Sequence, residues 1–246
     1  FFHRDALVFF APVQVENPMN QQTFHLTPMR CLSFALCVLL ATGCAASRKS
    51  ALSEDGKVDG IERDLRETLN RADNHWEKRR DRKQVERAIE LYERALEMNR
   101  EKLDPERRSQ LVGDAYTRLA RAHFFLADSH IRASAKKKSK VKDQLMAHYD
   151  AGMTAAERAI NLRAPEFADK IARGETWAEV VAEADTSAIP ALYWYAINLA
   201  RWALLEGPGT IFARKEDIEA TMRFICETED DFFYGACHRY FGAYWL

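Results

Sequence analysis

The chain has 246 residues, of which 47% are hydrophobic and 30% are charged, and its formal net charge is −1. This length allows one sizeable domain or two, and the near-neutral charge gives no support for a nucleic-acid-binding protein. With only 10 glycines and 7 prolines, the chain has too few turn residues for a turn-rich β fold, which favours a helical protein.

The first part of the chain has the features of an export signal preceded by extra sequence. Residues 1–28 begin without a methionine, and we expect them to be a non-translated upstream segment. From Met29, the basic residue Arg30 is followed by an apolar run over 31–42. That run has the length of a secretory signal and is too short to remain as a membrane span. Residues 29–43 are therefore predicted to be a lipoprotein signal peptide.

The apolar run ends in the sequence Ala-Thr-Gly-Cys, with the cysteine at position 44. Small residues before a cysteine resemble a bacterial lipobox, in which the Cys44 thiol is acylated and becomes the new N-terminus. Each buried methylene contributes about 0.8 kcal/mol, so several acyl chains anchor a protein stably. Ala45 and Ala46 follow without an aspartate, which favours the outer membrane, and residues 44–60 read as a flexible tether. The alternative is an ordinary signal peptide with a chance cysteine.

From residue 61 onward the sequence predicts one helix after another. Apolar residues recur at helical spacing over 85–99 and again over 111–126, with charged residues between them. Asp104 and Pro105 mark the break between these two helices. Further helices are predicted over 143–162, 167–172, 177–184, 189–205, 217–227 and 234–246.

Small residues occur where these helices are expected to cross. Ala88 and Ala95 flank a tyrosine in one helix, and Ala155 and Ala159 precede a closing Pro165 in another. This pattern resembles tetratricopeptide repeats, so the predicted fold class is all-α, a tetratricopeptide-like helical-hairpin array forming an α-α superhelix. Any helical-hairpin array would show a similar pattern, which leaves function open.

The predicted helical domain covers 61–246. The chain ends inside an apparent helix without a polar closing helix, and helical arrays need capped ends. We therefore expect the domain to be truncated at its C-terminal end.

The most apolar segment is ALYWYAINLARWALL, residues 191–205. Fifteen helical residues reach roughly 22 Å, whereas a bilayer core is about 30 Å thick, and Arg201 would be costly inside it. The segment is therefore predicted to be a buried helix. Its aliphatic face carries Leu192, Ala196, Leu199 and Ala203.

The other face of this helix combines aromatic rings with two polar groups. Asn198 and Arg201 are three residues apart and share that face, with Trp194 and Tyr195 one turn before Asn198 and Trp202 one turn after it. Such a face is typical of an apolar pocket or channel wall with a few polar groups. The alternative is a core helix in which Arg201 pairs with a buried carboxylate. The candidate partners are Asp185, Glu206, Asp230 and Asp231.

The sequence contains no recognisable catalytic or cofactor motif. It has no HExxH, paired CxxC, GxGxxG, P-loop or Gly-x-Ser-x-Gly segment, so we expect neither an enzyme nor a cofactor. Cys226 and Cys237 form a disulfide or remain as two buried free thiols, and their spacing with His238 does not match a zinc site.

Four segments together resemble the TRAP transporter T-component (TatT) lipoprotein family. They are RADNHWEKRRDRKQVERAIELYERAL, YTRLARAHFFLADSH, IPALYWYAINLARWALL and DDFFYGACHRYFGAYW, and the resemblance covers residues 72–246. It implies a non-enzymatic, periplasm-facing lipoprotein with a cryptic tetratricopeptide-like fold. It also implies association with the periplasmic solute-binding P-component of the transporter, and a trimer with a pore through each subunit.

By position, the signature residues of that family fall on Trp76, Tyr193, Trp194, Asn198, Arg201, Trp202, Gly235, His238, Arg239, Tyr240 and Gly242. The candidates for lining a ligand site or pore are Trp194, Tyr195, Asn198, Arg201, Trp202, His238, Arg239 and Tyr240. For His238 and Arg239, a buried ion-pair network with Asp230 and Asp231 is the alternative. The competing function is a tetratricopeptide-like scaffold lipoprotein that organises an envelope complex and has no ligand.

Overall fold

The computed structural model describes residues 60–98, 103–136 and 138–244, and within them all regular secondary structure is helical. The predicted signal peptide, Cys44 and residues 44–59 of the predicted tether lie outside the described residues. The α-helices are α1 (Gly60–Trp76), α2 (Arg82–Glu97), α3 (Pro105–Phe125), α4 (Arg132–Ser134), α5 (Lys142–Arg163), α6 (Pro165–Ala172), α7 (Trp177–Val181), α8 (Ile189–Glu206), α9 (Pro208–Thr228) and α10 (Phe232–Tyr244). Short 3-10 turns cover Lys138–Val141 and Thr186–Ala188, and a π turn covers Leu126–Ile131.

Side-chain caps explain where several of these helices begin. The Asp81 carboxylate accepts a hydrogen bond from the Lys83 N–H at the start of α2, and Asp104 accepts one from the Arg107 N–H at the start of α3. Each cap satisfies a backbone N–H that has no partner inside the helix. The predicted break at Asp104 and Pro105 is confirmed, with the proline in the first turn of α3.

Consecutive long helices pack side by side along the chain. The contacts run from α1 to α2, α2 to α3, α3 to α5, α5 to α8 and α8 to α9, and α3 also touches α8. The predicted small contact residues lie in this core: Ala88, Ala95 and Ala159 are fully buried and Ala155 nearly so. No helix in the described part of the chain is both long and apolar enough to cross a bilayer.

The helix predicted over 217–227 begins nine residues earlier, at Pro208. Gly207 has φ 141°, a value that L side chains rarely adopt, and this glycine separates α8 from α9. Pro208 then starts α9, because its fixed φ suits the first helical turn, where its missing N–H needs no partner. The Gly-Pro-Gly sequence therefore ends α8 and starts α9 with only Gly207 between the two helices.

The helix predicted from residue 234 is interrupted near its start. Phe233, Tyr234 and Gly235 all have left-handed dihedral angles, with φ of 46°, 61° and 66°. Only glycine adopts this conformation at no steric cost. This left-handed turn changes the direction of the chain between α9 and the main part of α10.

Candidate functional site

A buried carboxylate lies directly after α3, where the backbone hydrogen bonds change from the α to the π pattern. In the π turn Leu126–Ile131, the N–H of Arg132 donates to the carbonyl of Ala127, five residues earlier. The Asp128 side chain in this turn is 5% exposed. A buried charge of this kind needs charged or hydrogen-bonding partners.

Side chains from three other helices converge on Asp128. Arg132 Nη2 of α4 lies 2.8 Å from its Oδ2, and Arg201 Nε of α8 lies 3.1 Å from its Oδ1. The Tyr149 hydroxyl of α5 donates to Oδ1 at 3.2 Å. We call these four residues the polar cluster. Because one carboxylate faces two guanidinium groups, the cluster carries a net positive charge.

Burial and charge set the protonation of this cluster. Burial lowers the pKa of the Arg201 guanidinium, and the Asp128 charge opposes that shift. Burial and the Asp128 charge both raise the pKa of the Tyr149 hydroxyl. Tyr149 therefore stays protonated and remains a hydrogen-bond donor to the carboxylate.

The prediction that Arg201 pairs with a buried carboxylate is confirmed, but the choice of partner was wrong. The four predicted partners were Asp185, Glu206, Asp230 and Asp231, whereas the observed one is Asp128. Asp128 is distant in sequence and lies on a turn that helical periodicity does not reveal. The signal that could have identified it is a lone acidic residue inside the apolar segment FFLADSHI.

Asn198 lies next to the cluster and is fully buried. Its Nδ2 donates to the Trp194 carbonyl at 2.7 Å and reaches the Ala120 carbonyl of α3 at 3.4 Å. The side chain packs directly onto Gly152 of α5. Asn198 thus ties α8 to both α3 and α5.

Trp194 of α8 is the centre of an aromatic cluster to which α3, α8 and α10 all contribute. Its ring centroid lies 5.9 Å from that of Phe124, 5.0 Å from that of Tyr193 and 5.3 Å from that of Phe233. Phe232 joins through Tyr193, at 5.5 Å. We call these five residues the aromatic wall. Edge and tilted arrangements at these distances are favourable beyond simple burial.

The wall is continuous with the polar cluster. Phe124 lies 6.0 Å, between ring centroids, from Tyr149, whose hydroxyl binds Asp128. The structure therefore brings Trp194, Asn198 and Arg201 into one neighbourhood, as the sequence predicted. Sequence reasoning missed Phe124, Tyr149 and Asp128, which come from other helices.

Tyr195 and Trp202 have different surroundings. The Tyr195 ring stacks on Trp177 with centroids 4.3 Å apart, and the Trp177 Nε1 donates to the Thr221 hydroxyl of α9 at 2.9 Å. Neighbouring helical residues point about 100° apart, which separates Tyr195 from Trp194. Trp202 is half-buried and packs against the core.

His238 and Arg239 do not form the buried ion-pair network with Asp230 and Asp231 that the sequence left open. His238 Nε2 lies 3.9 Å from Asp230 Oδ2, but both side chains are mostly exposed, at 65% and 73%. Arg239 donates to the carbonyls of Phe233, at 3.0 Å, and of Tyr234. The Tyr240 ring packs edge-on against the next aromatic residue. Arg239 therefore supports the left-handed turn.

Cys226 of α9 and Cys237 of α10 form a disulfide. Of the two states that the sequence left open, the bonded one is found. The bridge spans the left-handed turn and ties α10 to α9.

A cavity of about 300 Å³ lies beside α5, α6 and α7. Its lining is amphipathic and is contributed by Arg163, Ala164, Pro165, Glu166, Phe167, Lys170, Val180, Glu183, Ala184 and Asp185. Two cations, three carboxylates and several apolar residues therefore share this lining. None of the predicted lining residues belongs to this cavity.

Comparison with known proteins adds one finding to this geometry. A family model described as TRAP transporter T-component matches residues 116–245, a span that contains the polar cluster, the aromatic wall and the disulfide. No curated protein matches the chain.

Proposed function

Because the chain belongs to the TRAP transporter T-component family, we propose that it is a lipid-anchored, non-enzymatic accessory of such a transporter. In this proposal the helices form a tetratricopeptide-like superhelix that faces the periplasm, with a lipid on Cys44 in the outer membrane. The domain docks the periplasmic solute-binding P-component and passes a small, partly apolar ligand through an interior channel. The active form is a homotrimer.

The observation that carries this proposal is the junction of the aromatic wall with the polar cluster. Trp194 is 7% exposed and Arg201 is 8% exposed, so both face the interior of the helical domain. Binding sites for small molecules are mostly apolar and contain a few well-placed polar groups. The family match covers both groups of residues.

The chemistry of these residues suggests how such a ligand would be held. Aromatic rings at Trp194 and Trp202 would contact its apolar part. The planar guanidinium of Arg201, oriented by Asp128, would face its polar group. Tyr195, Asn198, His238, Arg239 and Tyr240 complete the proposed lining.

Docking is tested by mixing the purified domain with the periplasmic solute-binding protein of the same transporter. We expect a complex of defined stoichiometry in sedimentation velocity, since accessory and binding components must meet for transfer. A solute-binding protein from an unrelated transporter is the matched control. Failure of the cognate pair to associate at concentrations well above those in the periplasm would reject the docking role.

The channel is tested separately, by uptake of the transported solute in cells. The double variant Arg201→Ala, Trp202→Ala should reduce uptake several-fold while the domain remains helical by circular dichroism. Leu204→Ala is the control, because Leu204 lies on the same helix and is 37% exposed. Unchanged uptake in a folded double variant would remove the channel and favour a scaffold.

The scaffold alternative has its own supporting observation. The Nδ2 of Asn198 donates to main-chain carbonyls and Arg201 pairs with Asp128, while the Oδ1 of Asn198 is buried without a hydrogen-bond partner among the described residues. Groups paired in this way are able to serve packing alone. In that case the domain organises an envelope complex, and its rim residues alone determine function.

The lipid anchor is tested by labelling cells with radioactive palmitate. We expect label on the wild-type protein and its loss in Cys44→Ser, because acylation needs the thiol. Label that persists in Cys44→Ser, or a wild-type protein without label, would exclude the lipobox interpretation.

A further inference from the structure

Three side chains of types that can bind a metal ion lie close together where α9 and α10 meet. Cys226 and Cys237 are joined by the disulfide, and His238 Nδ1 lies 4.0 Å from the Cys226 sulphur. The two sulphurs and an imidazole nitrogen all lie within 4.8 Å of one another. The sequence spacing alone argued against this grouping, and the left-handed turn between α9 and α10 brings it about.

The second nitrogen of His238 has a partner of its own. His238 Nε2 faces the Asp230 carboxylate at 3.9 Å, while Nδ1 faces the sulphurs. A histidine that binds a metal through one nitrogen usually directs the other toward a carboxylate, which orients the ring. His238 is 65% exposed, so packing in the core does not account for its position.

The two sulphurs differ in accessibility. Cys226 is half-buried and packs at the edge of the core, whereas Cys237 is fully buried. An attacking thiolate therefore reaches Cys226 first. The Cys237 thiolate would be the leaving group in that attack.

We propose that this disulfide is a redox-controlled metal site, which binds a thiophilic divalent cation such as Zn²⁺ when it is reduced. A dithiol reductant attacks the Cys226 sulphur, releases the Cys237 thiolate and forms a mixed disulfide. The second thiol of the reductant then releases Cys226, so that two electrons pass to the protein and the reductant leaves as a disulfide. Zn²⁺ binds the two sulphurs and His238 Nδ1, and the two thiol protons are lost to solvent.

The geometry needed is close to the one observed. Zinc binds sulphur at about 2.3 Å and imidazole nitrogen at about 2.0–2.1 Å in a tetrahedral arrangement. Donor atoms in such a site are therefore roughly 3.5–3.8 Å apart, and His238 Nδ1 is already 4.0 Å from the Cys226 sulphur. The sulphurs move apart once the bond between them is broken. Two cysteines and one histidine leave a fourth position open to water, as in catalytic zinc sites.

Oxidation and metal binding exclude each other at this site. Each sulphur is either bonded to the other sulphur or available to the metal as a thiolate. Metal occupancy would therefore report the redox state of the surroundings, independently of any transported ligand.

Co²⁺ is a suitable probe, because thiolate ligands give it a charge-transfer absorption that imidazole and carboxylate ligands lack. The full chain carries Cys31→Ser, Cys37→Ser and Cys44→Ser, which removes the other thiols, and is reduced with a phosphine and desalted without oxygen. We expect one Co²⁺ per reduced chain with thiolate absorption, and none in the oxidised chain. Zn²⁺ should displace the Co²⁺ and remove the absorption.

Variants identify the third ligand. His238→Ala should weaken Co²⁺ binding by more than about tenfold, and Asp230→Asn by about tenfold through the ring orientation. Asp231→Asn, the adjacent exposed carboxylate, is the matched control and should bind as the parent does. Circular dichroism confirms that each variant is folded. Equal Co²⁺ binding by oxidised and reduced chains, or unchanged affinity in His238→Ala, would overturn the proposal.

Discussion

Asn198 fills the space beside Gly152 so closely that α5 and α8 could not cross as they do with any larger residue at position 152. A Cβ built on Gly152 would lie 2.6 Å from the Asn198 Cγ, far inside van der Waals contact. The amide itself is held by the Trp194 carbonyl, so it cannot move aside without losing a buried hydrogen bond. The absence of a side chain at one residue thus permits the interaction made by the other.

Gly152→Ala should therefore destabilise the domain. Overpacking costs about 1–3 kcal/mol, which exceeds the gain of about 0.5–1 kcal/mol from replacing a helical glycine by alanine. We expect a net loss of about 1 kcal/mol, and at most about 2.5 kcal/mol, in the free energy of unfolding, measured by denaturant titration.

Gly242→Ala is the matched control for this substitution, because nothing lies within 4 Å of its added Cβ, and it should be neutral or slightly stabilising. The double variant Gly152→Ala, Asn198→Ala should cost less than the sum of the two single variants. Additive costs would show that the two residues do not constrain each other.

Removing the charge of Asp128 should be more damaging. Asp128→Asn leaves the guanidinium groups of Arg132 and Arg201 without their shared counter-ion in a buried site, a change that typically costs about 3–5 kcal/mol. Glu219→Gln removes the surface pair with Arg223, and such pairs contribute about 0–1 kcal/mol. Denaturant titration of both variants gives the comparison, and a loss in Asp128→Asn no greater than in Glu219→Gln would contradict the role of the polar cluster.

The stability of the domain should fall on mild acidification. Burial, followed by the neighbouring His148, lowers the pKa of His123 to about 4, whereas an unfolded histidine has a pKa near about 6.5. Because the unfolded chain binds this proton more readily, the contribution of His123 is fully present above pH 6.5. It is lost as the pH falls toward 4. The loss approaches about 3 kcal/mol at full effect.

Other titratable and charged groups lie close to His123 and to its neighbour His148. Its Nε2 lies 3.9 Å from the Glu93 carboxylate, which is 52% exposed, while its Nδ1 lies 3.2 Å from His148 Nδ1. Arg82 and Glu86 act on His148. His123→Gln should flatten the pH dependence of the unfolding free energy between pH 6.5 and 4. A slope in that variant equal to the wild-type slope would assign the effect to other groups.

A residue at position 234 that tolerates a left-handed backbone conformation should raise the stability of the domain. Tyr234 has φ 61° and is 86% exposed, so its ring contributes little burial while its backbone is strained. A non-glycine residue in this conformation costs roughly 1–2 kcal/mol, and asparagine adopts it more readily. Tyr234→Asn should stabilise the domain by up to about 1 kcal/mol, measured as a rise in Tm.

Phe212→Asn is the control for that change. Phe212 is also exposed, at 68%, but it lies within α9. Asparagine is unfavourable inside a helix, although it is favoured in turns. The substitution should therefore leave the Tm unchanged or lower it. A matching rise in both variants would mean that the gain comes from removing surface aromatic rings and not from the backbone.

Helical periodicity was sufficient to predict most of the long helices and the burial of the segment around Trp194. The apolar stripes of α2 and α3 are strong local signals, and the aspartate and proline that start α3 are equally local. The start of α9 was predicted nine residues too late, at 217, because a proline after a glycine indicates the end of a helix, although the same proline also favours the first turn of a following helix.

The polar cluster shows why the site could not be completed from the sequence. Asp128 reaches Arg201 because a π turn and the packing of α3 on α8 bring them together, and neither feature has a local signature in the sequence. The left-handed dihedral angles of Phe233 and Tyr234 could not be predicted either, because aromatic residues give no indication of this conformation. Long-range packing decided both outcomes.

The π turn also makes this part of the chain tolerant of one change in length. Its hydrogen bond closes over five residues instead of four, so it takes up one extra residue without rotating the helix that follows. The loss of one codon between Asp128 and Arg132 would restore an ordinary α-turn and place these two residues three apart, a spacing that still puts their side chains on one face of a helix. The same deletion in the regular part of α3 would instead rotate the residues after it by about 100° around the helix axis.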